Sequence, residues 1–320
     1  MSTKRLAICL LASATLLLAA CAGSSKSTAK SFPPVTPPTM TDTKPREYAG
    51  LHNVVAFHDN YYSGSVPEGD AGFDALAGMG IKTIISVDGA IPEVEAAKAR
   101  GMRYIHLPIG YNGFSEERKL ELIRATRDSL AKGPVYIHCH HGKHRSAGAA
   151  ATVTAAMGWS TNEQGVARMK VSGTAVGYKG LYKCAMETTV LPESTINAVP
   201  ADFPEISKPG TFVASMVEME EVMEHLKAME NAGWKSPADR SDLEPAAEAG
   251  RLADLLRVSA QGGRAAREGE EFRAGLEHNA DAVQPLEDLL AAGETDVAKL
   301  SAQFSIVQKS CKSCHEKFRD

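Results

Sequence analysis

The chain has 320 residues, of which 43% are hydrophobic, and this length leaves room for two folded domains behind an N-terminal leader. Its formal net charge is −4, so there is no general basic surface and a nucleic-acid partner is not expected. The C-terminal part is acidic, whereas the tether and first domain carry the positive excess.

The N-terminus has the pattern of a secretory signal peptide. Lys4 and Arg5 precede an apolar run, residues 6–20, that is too short to span a bilayer comfortably. The run ends at Leu-Ala-Ala-Cys21, which resembles the lipobox of bacterial lipoproteins. That resemblance implies cleavage after residue 20 and lipidation of Cys21; the alternative is an ordinary signal peptide with a chance cysteine. A periplasmic protein, lipid-anchored to a membrane, is expected, and Ala22 favours the outer membrane because it gives no inner-membrane retention signal.

Residues 21–47 are rich in Pro, Ser and Thr and carry no pattern that predicts a core, so we expect a tether with polyproline stiffness. The first folded domain is predicted at residues 48–190. Apolar runs alternate there with amphipathic stretches, which indicates strands alternating with helices in a parallel or mixed α/β sheet. The predicted strands are 54–57, 83–87, 103–107 and 135–137, and the predicted helices are 73–79, 93–100, 116–131, 162–171 and 181–186.

The most informative stretch of this domain is His138 to Ser146. It follows a buried strand and leads into small, helix-favouring residues, so it predicts a loop between a strand and a helix N-terminus. Five residues separate Cys139 from Arg145, and a loop of that length can surround one tetrahedral oxyanion with backbone N–H groups and the helix dipole. The same field would stabilise a thiolate at Cys139, Arg145 would bind two oxygens of the anion, and Ser146 would donate to the thiolate as it leaves. The predicted phosphate-binding residues between them are His140, His141, Gly142, Lys143 and His144, with partly protonated histidines adding positive charge.

His-Cys-x5-Arg-Ser resembles the signature of the tyrosine and dual-specificity phosphatase superfamily. The fuller string His-Cys-x-x-Gly-Lys-His-Arg-Ser is similar to the plant-and-fungal atypical dual-specificity branch, as are the segments at 62–67 and 79–87. The resemblance covers roughly residues 50–190. It implies a cysteine-phosphatase fold and a phosphocysteine intermediate formed on a phosphorylated small molecule or protein.

The general acid of such a phosphatase is not evident. Relatives place an aspartate in a loop that corresponds to residues 107–115 here, and this stretch contains Asn112 but no aspartate. Glu116, Glu117 or the more distant Asp88 are the candidate substitutes, as are His144 and His141. Without a positioned acid, a phosphoanhydride is a better substrate than an alkyl monoester, because its leaving group departs easily; a merely phosphate-binding domain is the other interpretation.

Two further features of the middle of the chain stay open. Cys184 is either a buried small residue or a partner for a disulfide with Cys139 in an oxidising compartment. Residues 191–210 are rich in Pro, Ser and Asn and predict an interdomain linker.

Residues 211–320 predict an all-α domain. Alanine, glutamate, leucine and methionine dominate, and apolar residues recur on one face of each helical stretch, which indicates a four-helix bundle. Glycines separate the predicted helices, which cover residues 211–232, 243–261, 268–292 and 295–318.

The last of these helices ends in Cys311-Lys312-Ser313-Cys314-His315. Cys-x-x-Cys-His is typical of covalent c-type haem attachment, with both thiols bound to the haem and His315 bound to the iron. A zinc site would need a second pair of ligands, which this domain lacks, and a redox dithiol would be expected at a helix start in an α/β fold.

With Phe318 and Arg319 the motif resembles that of cytochrome c-prime, a four-helix bundle. In that family the sixth iron position is open or is filled by a methionine of the first helix. For this chain the resemblance points to Met216 or Met219, and to electron transfer or the binding of a small gas.

The complete prediction is a multidomain chain with an α/β cysteine-phosphatase fold followed by an all-α four-helix haem domain. Its expected activity is hydrolysis of a phosphoric ester or anhydride, with haem c as covalent cofactor and a redox protein as a further partner. The alternative is an electron-transfer or gas-binding cytochrome whose first domain only binds phosphate.

Overall fold

The computed structural model describes residues 32–207, 211–238, 240–241 and 243–318. The predicted signal peptide, Cys21 and the first part of the predicted tether lie outside the described residues.

A six-stranded mixed sheet organises the first domain. Its strand order is β1-β2-β3-β6-β4-β5, with antiparallel pairing from β1 to β3 and parallel pairing from β3 through β6 and β4 to β5. The strand that precedes the predicted catalytic loop, β6, is therefore central. The strands are β1 (Arg46–Tyr48), β2 (Leu51–His58), β3 (Tyr61–Gly64), β4 (Thr83–Ser86), β5 (Arg103–His106) and β6 (Val135–His138).

Helices cover both faces of this sheet. Consecutive residues of one strand point to opposite faces, so Ile84 and Tyr136 join one buried cluster while Ile85 and Ile137 join the other. Strands buried on both sides are expected to be continuously apolar, which explains why β4 and β6 were recognisable in the sequence. The helices of this domain are α1 (Gly69–Gly78), α2 (Val94–Lys98), α3 (Glu116–Leu130), α4 (Arg145–Ala156), α5 (Asn162–Val171), α6 (Lys179–Glu187) and α7 (Glu193–Asn197).

Residues 32–47 differ from the expected free tether, because they pack along the first domain. The amide of Val35 donates to the carbonyl of Gly78 at 3.0 Å. The guanidinium of Arg168 in α5 donates to the carbonyls of Met40 and Asp42 at 3.2 and 2.7 Å. The prolines here are compatible with an extended segment whose carbonyls still accept hydrogen bonds.

The predicted linker also differs from expectation over its described part, 191–207. Ile196 in α7 and Phe203 are buried in the core of the first domain. Ser207 donates to the carbonyl of His106 in β5 at 2.5 Å. This segment extends the first domain instead of separating it from the helical region.

Among its described residues, the helical region contains four long helices, which the sequence pattern predicted, and one short helix, which it did not. They share one apolar core that includes Leu226, Leu256, Val283 and Phe304. The short helix follows the break at Gly262, where the backbone leaves the helical conformation with φ −75° and ψ 164°. The helices are α8 (Phe212–Asn231), α9 (Pro245–Gln261), α10 (Gly263–Glu268), α11 (Glu270–Ala291) and α12 (Val297–Phe318). Within the described part of the chain, no helix is long and apolar enough to cross a membrane.

The two regions pack directly against each other through α9. Ala246 and Ala247 of α9 are buried in the core of the first domain. The Tyr178 hydroxyl donates to the Glu287 carboxylate of α11 at 3.0 Å, and both groups are buried. The helical region is therefore part of the surroundings of any site on this face of the sheet domain.

We predict that Phe304→Ala destabilises the helical region by about 3–5 kcal/mol, because it removes a fully buried ring that packs edge-on against Trp234. Urea unfolding followed by tryptophan fluorescence measures the change. Ile306→Ala on the same helix is the matched control, since that side chain is 52% exposed and should change stability by no more than about 0.5 kcal/mol. Equal losses in the two variants would contradict the assigned core.

Candidate functional site

The predicted catalytic loop lies at the carboxyl end of the central strand. β6 ends at His138, the loop spans residues 139–144, and α4 begins at Arg145. Ligands of open α/β sheets bind at this end of the strands. His144 at the N-cap of α4 makes no side-chain cap hydrogen bond, so the positive end of the α4 dipole faces the loop without a competing side-chain acceptor.

Cys139 and Ser146 lie next to each other inside this loop. The Sγ of Cys139 is 3.4 Å from the Oγ of Ser146, and both side chains are buried. Ser63 at the end of β3 donates to the Oγ of Ser146 at 3.0 Å. Because Ser63 donates a hydrogen bond to that oxygen, the hydroxyl hydrogen of Ser146 is free to point at the sulfur of Cys139. A serine so placed stabilises a thiolate by donating to it.

The loop is held in shape by its backbone. Gly142 has φ +71°, and a Cβ there would lie 2.2 Å from the carbonyl carbon of Gly64. The amide of Asn53 donates to the carbonyl of Gly142 at 3.0 Å, and the backbone N–H of Val66 donates to the carbonyl of His140 at 3.1 Å. These bonds pair two carbonyls of the loop with donors outside it, and the N–H groups of such a loop are the expected donors to an anion.

The histidines contribute less charge than expected. Burial lowers the pKa of His138 to about 4 and that of His140 and His144 to about 3. These three imidazoles are neutral near pH 7, and His144 stacks on Tyr178 with ring centroids 3.9 Å apart. Lys143 is exposed, so Arg145 is the cation that the loop and the start of α4 place inside the site.

Arg145 is the most heavily engaged side chain of the site and only 1% exposed. Its Nη2 donates to Asp88, just past β4, at 2.8 Å, and its Nη1 donates to Asp254 of α9 at 2.9 Å. Its carbon Cζ lies 4.2 Å from the ring centroid of Tyr111. The Nε of Arg145 is buried and has no hydrogen-bond partner. An unpaired buried N–H of a guanidinium beside Cys139 is a donor available to an anion.

The two carboxyl groups on Arg145 differ in pKa. Burial disfavours the charge of Asp88, yet Arg145, Arg257 and the backbone N–H of Ala90 together hold its pKa well below the usual range. Burial raises the pKa of Asp254 to about 6, and the negative charge of Asp88 adds to that rise. When two carboxyl groups share one cation, their pKa values are expected to move apart in this way.

The three carboxylic acids among the candidates proposed from sequence occupy different environments. Asp88 is an ionised partner of Arg145 and therefore holds no proton to give near neutral pH. Glu116 is 81% exposed at the start of α3, where it pairs with Lys119, and Glu117 is also exposed. Neither glutamate forms a hydrogen bond with the loop in the described structure.

The position where relatives carry an aspartate is bonded to the helical region. The amide nitrogen of Asn112 donates to Glu248 of α9 at 3.0 Å. Glu248 is completely buried and also contacts Nδ1 of His225 in α8 at 2.8 Å. The helical region thus supplies carboxyl groups on this side of the site, from Glu248 and from Asp254.

Sequence reasoning missed the residues that α9 contributes. Asp254 lies on the polar side of an amphipathic helix, and a polar side predicts solvent unless another domain covers it. Asn53, which holds Gly142, carries a positive φ of +55° that no motif revealed. Cys184 is a free thiol whose Sγ lies 3.9 Å from the carbonyl of Phe114, and Cys139 is also free.

A second candidate site lies at the end of α12. Cys311 and Cys314 are three residues apart on one helix and therefore on one face. Burial raises the pKa of Cys311 to about 11, so the thiol is protonated at neutral pH. A cleft of about 560 Å³, within the range of cofactor sites, has Cys311 and His315 in its wall. Its other lining residues are Met223, Lys227, Gln308, Lys312 and Glu316.

The predicted methionine ligands do not line this cleft. Met219 is buried in the core of the helical region and Met216 is half-buried against it. Met223, one turn along α8, is the methionine that faces the cleft beside His315. The methionine stripe of α8 therefore divides into residues that fill the core and one that lines the cleft.

Comparison with known proteins gives separate results for the two regions. The family model described as Cytochrome C' matches residues 266–319, which include α11, α12 and the Cys-x-x-Cys-His motif. Among solved structures, P. aeruginosa TpbA is 16% identical over 48% of this chain and 92% of its own, with a TM-score of 0.34. The core catalytic domain of the PP-IP phosphatase SIW14 from S. cerevisiae is 17% identical over 49% of this chain and 90% of its own, with a TM-score of 0.32. No curated protein matches the chain.

We predict that Gly142→Ala weakens binding of the oxyanion vanadate and lowers thermal stability, because the new Cβ collides with the backbone of Gly64 and Ser65. Gly173→Ala is the matched control. Gly173 also has positive φ, +80°, but nothing lies within 4 Å of its Cβ position, so only a backbone strain of about 1–2 kcal/mol is expected there. Calorimetric vanadate titration and thermal melts are compared for the two variants. Equal vanadate affinity in Gly142→Ala and Gly173→Ala would contradict the assigned loop.

Proposed function

We propose that this chain is an exported, cysteine-dependent phosphatase fused to a c-type haem domain. The observation that carries the proposal is the loop at the end of β6, where Cys139 lies 3.4 Å from Ser146 and the buried Arg145 retains an unpaired Nε. A thiol, a hydroxyl and a guanidinium around one anion-sized loop support attack on phosphorus better than electron transfer. The substrate class is a phosphoric monoester or anhydride.

In the proposed reaction the thiolate of Cys139 attacks phosphorus and forms the S–P bond of a phosphocysteine. Arg145 and the loop N–H groups bind the equatorial oxygens, whose negative charge must be stabilised as the bond to the leaving group breaks. Water then attacks phosphorus, the S–P bond breaks and inorganic phosphate is released. Ser146 donates to the sulfur as it departs, which lowers the cost of expelling a thiolate.

For the C-terminal part we propose covalent haem c. Cys311 and Cys314 would form the two thioether links and His315 would bind iron, while the cleft beside Met223 would hold the haem edge. Bound haem would supply reversible one-electron chemistry or a site for a small gas. The match of residues 266–319 to the Cytochrome C' model supports this assignment.

The proposed location is the periplasm, with Cys21 lipidated and the chain anchored to a membrane. We favour the outer membrane, because Ala22 gives no inner-membrane retention signal. The support is the sequence of residues 1–21. The proposed partners are a phosphorylated small molecule or protein and a redox protein that exchanges electrons with the haem.

We predict that the reduced, full-length protein releases phosphate from an aryl phosphate and from pyrophosphate, and that Cys139→Ser abolishes the release. The reason is that a serine hydroxyl at this position is a far weaker nucleophile than the thiolate. Malachite-green detection measures the product.

Cys184→Ser is the matched control, because Cys184 is the other free thiol of the first domain and its Sγ lies 3.9 Å from the carbonyl of Phe114. It should leave the rate unchanged. A Cys139→Ser protein as active as the wild type would refute a phosphocysteine mechanism and favour a phosphate-binding domain attached to a cytochrome.

We predict that protein exported in a host with c-type haem maturation retains haem through denaturing electrophoresis, and that replacement of Cys311 and Cys314 by alanine removes it. Thioether bonds survive denaturation, whereas iron ligation by His315 alone does not. Haem-peroxidase staining of the gel reads the result. The Cys184→Ser protein should keep the stain, and persistent staining of the double variant would rule out covalent attachment at this motif.

A further inference from the structure

Helix α9 forms one side of the phosphatase site. Its Asp254 binds Arg145, its Glu248 binds Asn112, and the Oε1 of its Gln261 accepts from the backbone N–H of Ile91 at 2.7 Å. These three contacts lie along more than three turns of α9. The helix is therefore fixed against the catalytic loop and does not merely touch it at one end.

Asp254 is the α9 residue that contacts Arg145. Its two oxygens face the two terminal nitrogens of Arg145, at 2.9 and 3.3 Å, and its side chain is 16% exposed while that of Arg145 is 1% exposed. A Cβ on Gly89 would meet the Oδ2 of Asp254 at 2.8 Å, so the carboxyl is packed against the loop after β4. Asp254 thus lies between the buried Arg145 and the solvent.

The surroundings of Asp88 favour its ionised form more strongly than those of Asp254 do. Asp88 accepts from the backbone N–H of Ala90 at 3.0 Å and from Arg145 at 2.8 Å, and this ionised carboxylate already neutralises the guanidinium. Arg257, on α9, is 3.7 Å from Asp254, and its Nε and Nη2 are buried without hydrogen-bond partners. Asp254 is the carboxyl group of the pair that takes up a proton in mildly acidic solution, because burial raises its pKa to about 6.

We propose that Asp254 of the helical region is the general acid of the phosphatase site. The assignment rests on the proposed phosphatase function. Asp254 would supply the general acid that the first domain lacks, since Asn112 stands where an acid is expected. It makes the helical region a part of the catalytic machinery, so that one active site is assembled from two regions of the chain.

Cys139 forms the S–P bond, the P–O bond of the ester breaks, and its electron pair moves to the leaving oxygen. The carboxyl proton of Asp254 is transferred to that oxygen, giving the alcohol and an Asp254 carboxylate. In the second step the carboxylate takes a proton from the attacking water as the S–P bond breaks, which restores the acid and the thiolate.

The pH dependence of this step is set by every group that faces Asp254. Arg145 and Arg257 favour the carboxylate, while Asp88 and burial favour the acid. The result is a proton that is lost as pH rises through about 6. The facing titratable and charged groups are Arg145 on α4, Asp88 after β4, Tyr111 on the loop before α3, and Arg257 on α9 itself.

The test compares leaving groups in the full-length, haem-loaded protein. p-Nitrophenyl phosphate has a leaving group that needs no proton, whereas phenyl phosphate has one that does. For Asp254→Asn we expect kcat on phenyl phosphate to fall by about 10²–10⁴-fold and kcat on p-nitrophenyl phosphate to change by much less. Asp281→Asn, an exposed aspartate of α11, is the matched control and should leave both rates unchanged.

A second measurement does not depend on the variant folding. In the wild type, kcat/KM for phenyl phosphate should decline as pH rises through about 6, and that decline should be weaker for p-nitrophenyl phosphate. The same decline for both substrates would overturn the assignment.

The outcomes also separate this proposal from the function on which it rests. Equal losses on both substrates, or no loss, would overturn Asp254 as the acid while leaving the phosphatase intact. A higher rate in Asp254→Asn would overturn it too and would identify the contact with Arg145 as an inhibitory one. Absence of hydrolysis in the wild type with both substrates would overturn the phosphatase itself, and the acid with it.

Discussion

The buried guanidinium of Arg145 is the constraint on which the rest of this structure depends. A cation removed from water is costly unless hydrogen-bonded carboxylates surround it, and losing one partner leaves a charge without compensation. The first domain provides one such group, Asp88, and the helical region provides the other, Asp254. The buried charge of Arg145 therefore fixes the position of the helical region relative to the centre of the sheet domain.

That tie explains why the contact between the two regions is polar where the site lies and apolar beside it. Ala246 and Ala247 bury small side chains against the first domain, while Glu248 and Asp254 on the same helix face Asn112 and Arg145. Apolar packing holds α9 in place, and the carboxyl groups set its register. Glu248 also contacts His225 of α8, the helix whose Met223 lines the cleft at Cys311 and His315. Helix α8 thus contacts Glu248 through His225 and lines the cleft through Met223, so one helix borders the surroundings of both candidate sites.

The sequence predicted the parts of the structure that depend on local pattern. The strands β4, β5 and β6, the helix α3 and the loop from Cys139 to Arg145 were all recognisable, because buried strands are continuously apolar and the loop has fixed spacing. The packing of 32–47 and 191–207 was not, since proline-rich and polar composition predicts no core although backbone carbonyls and single apolar side chains can still dock.

Asp254 was invisible for a related physical reason. The apolar residues of α9 identify the face that enters the helical core, but its polar face looks the same whether water or Arg145 covers it. Met219 and Met223 could not be separated either, because both recur at helical spacing on α8 and only packing assigns one to the core and the other to the cleft.

The central claim is that the two carboxyl groups on Arg145 have different pKa values: that of Asp88 lies well below its usual range, whereas burial raises that of Asp254 to about 6. Infrared difference titration of the wild type against Asp254→Asn observes the carboxyl band of that side chain directly. The account predicts a band that disappears with a midpoint near pH 6, and a lower midpoint in Asp88→Asn, where Arg145 is left to Asp254 alone. A midpoint at the ordinary aspartate value of about 4, unchanged in Asp88→Asn, would contradict it.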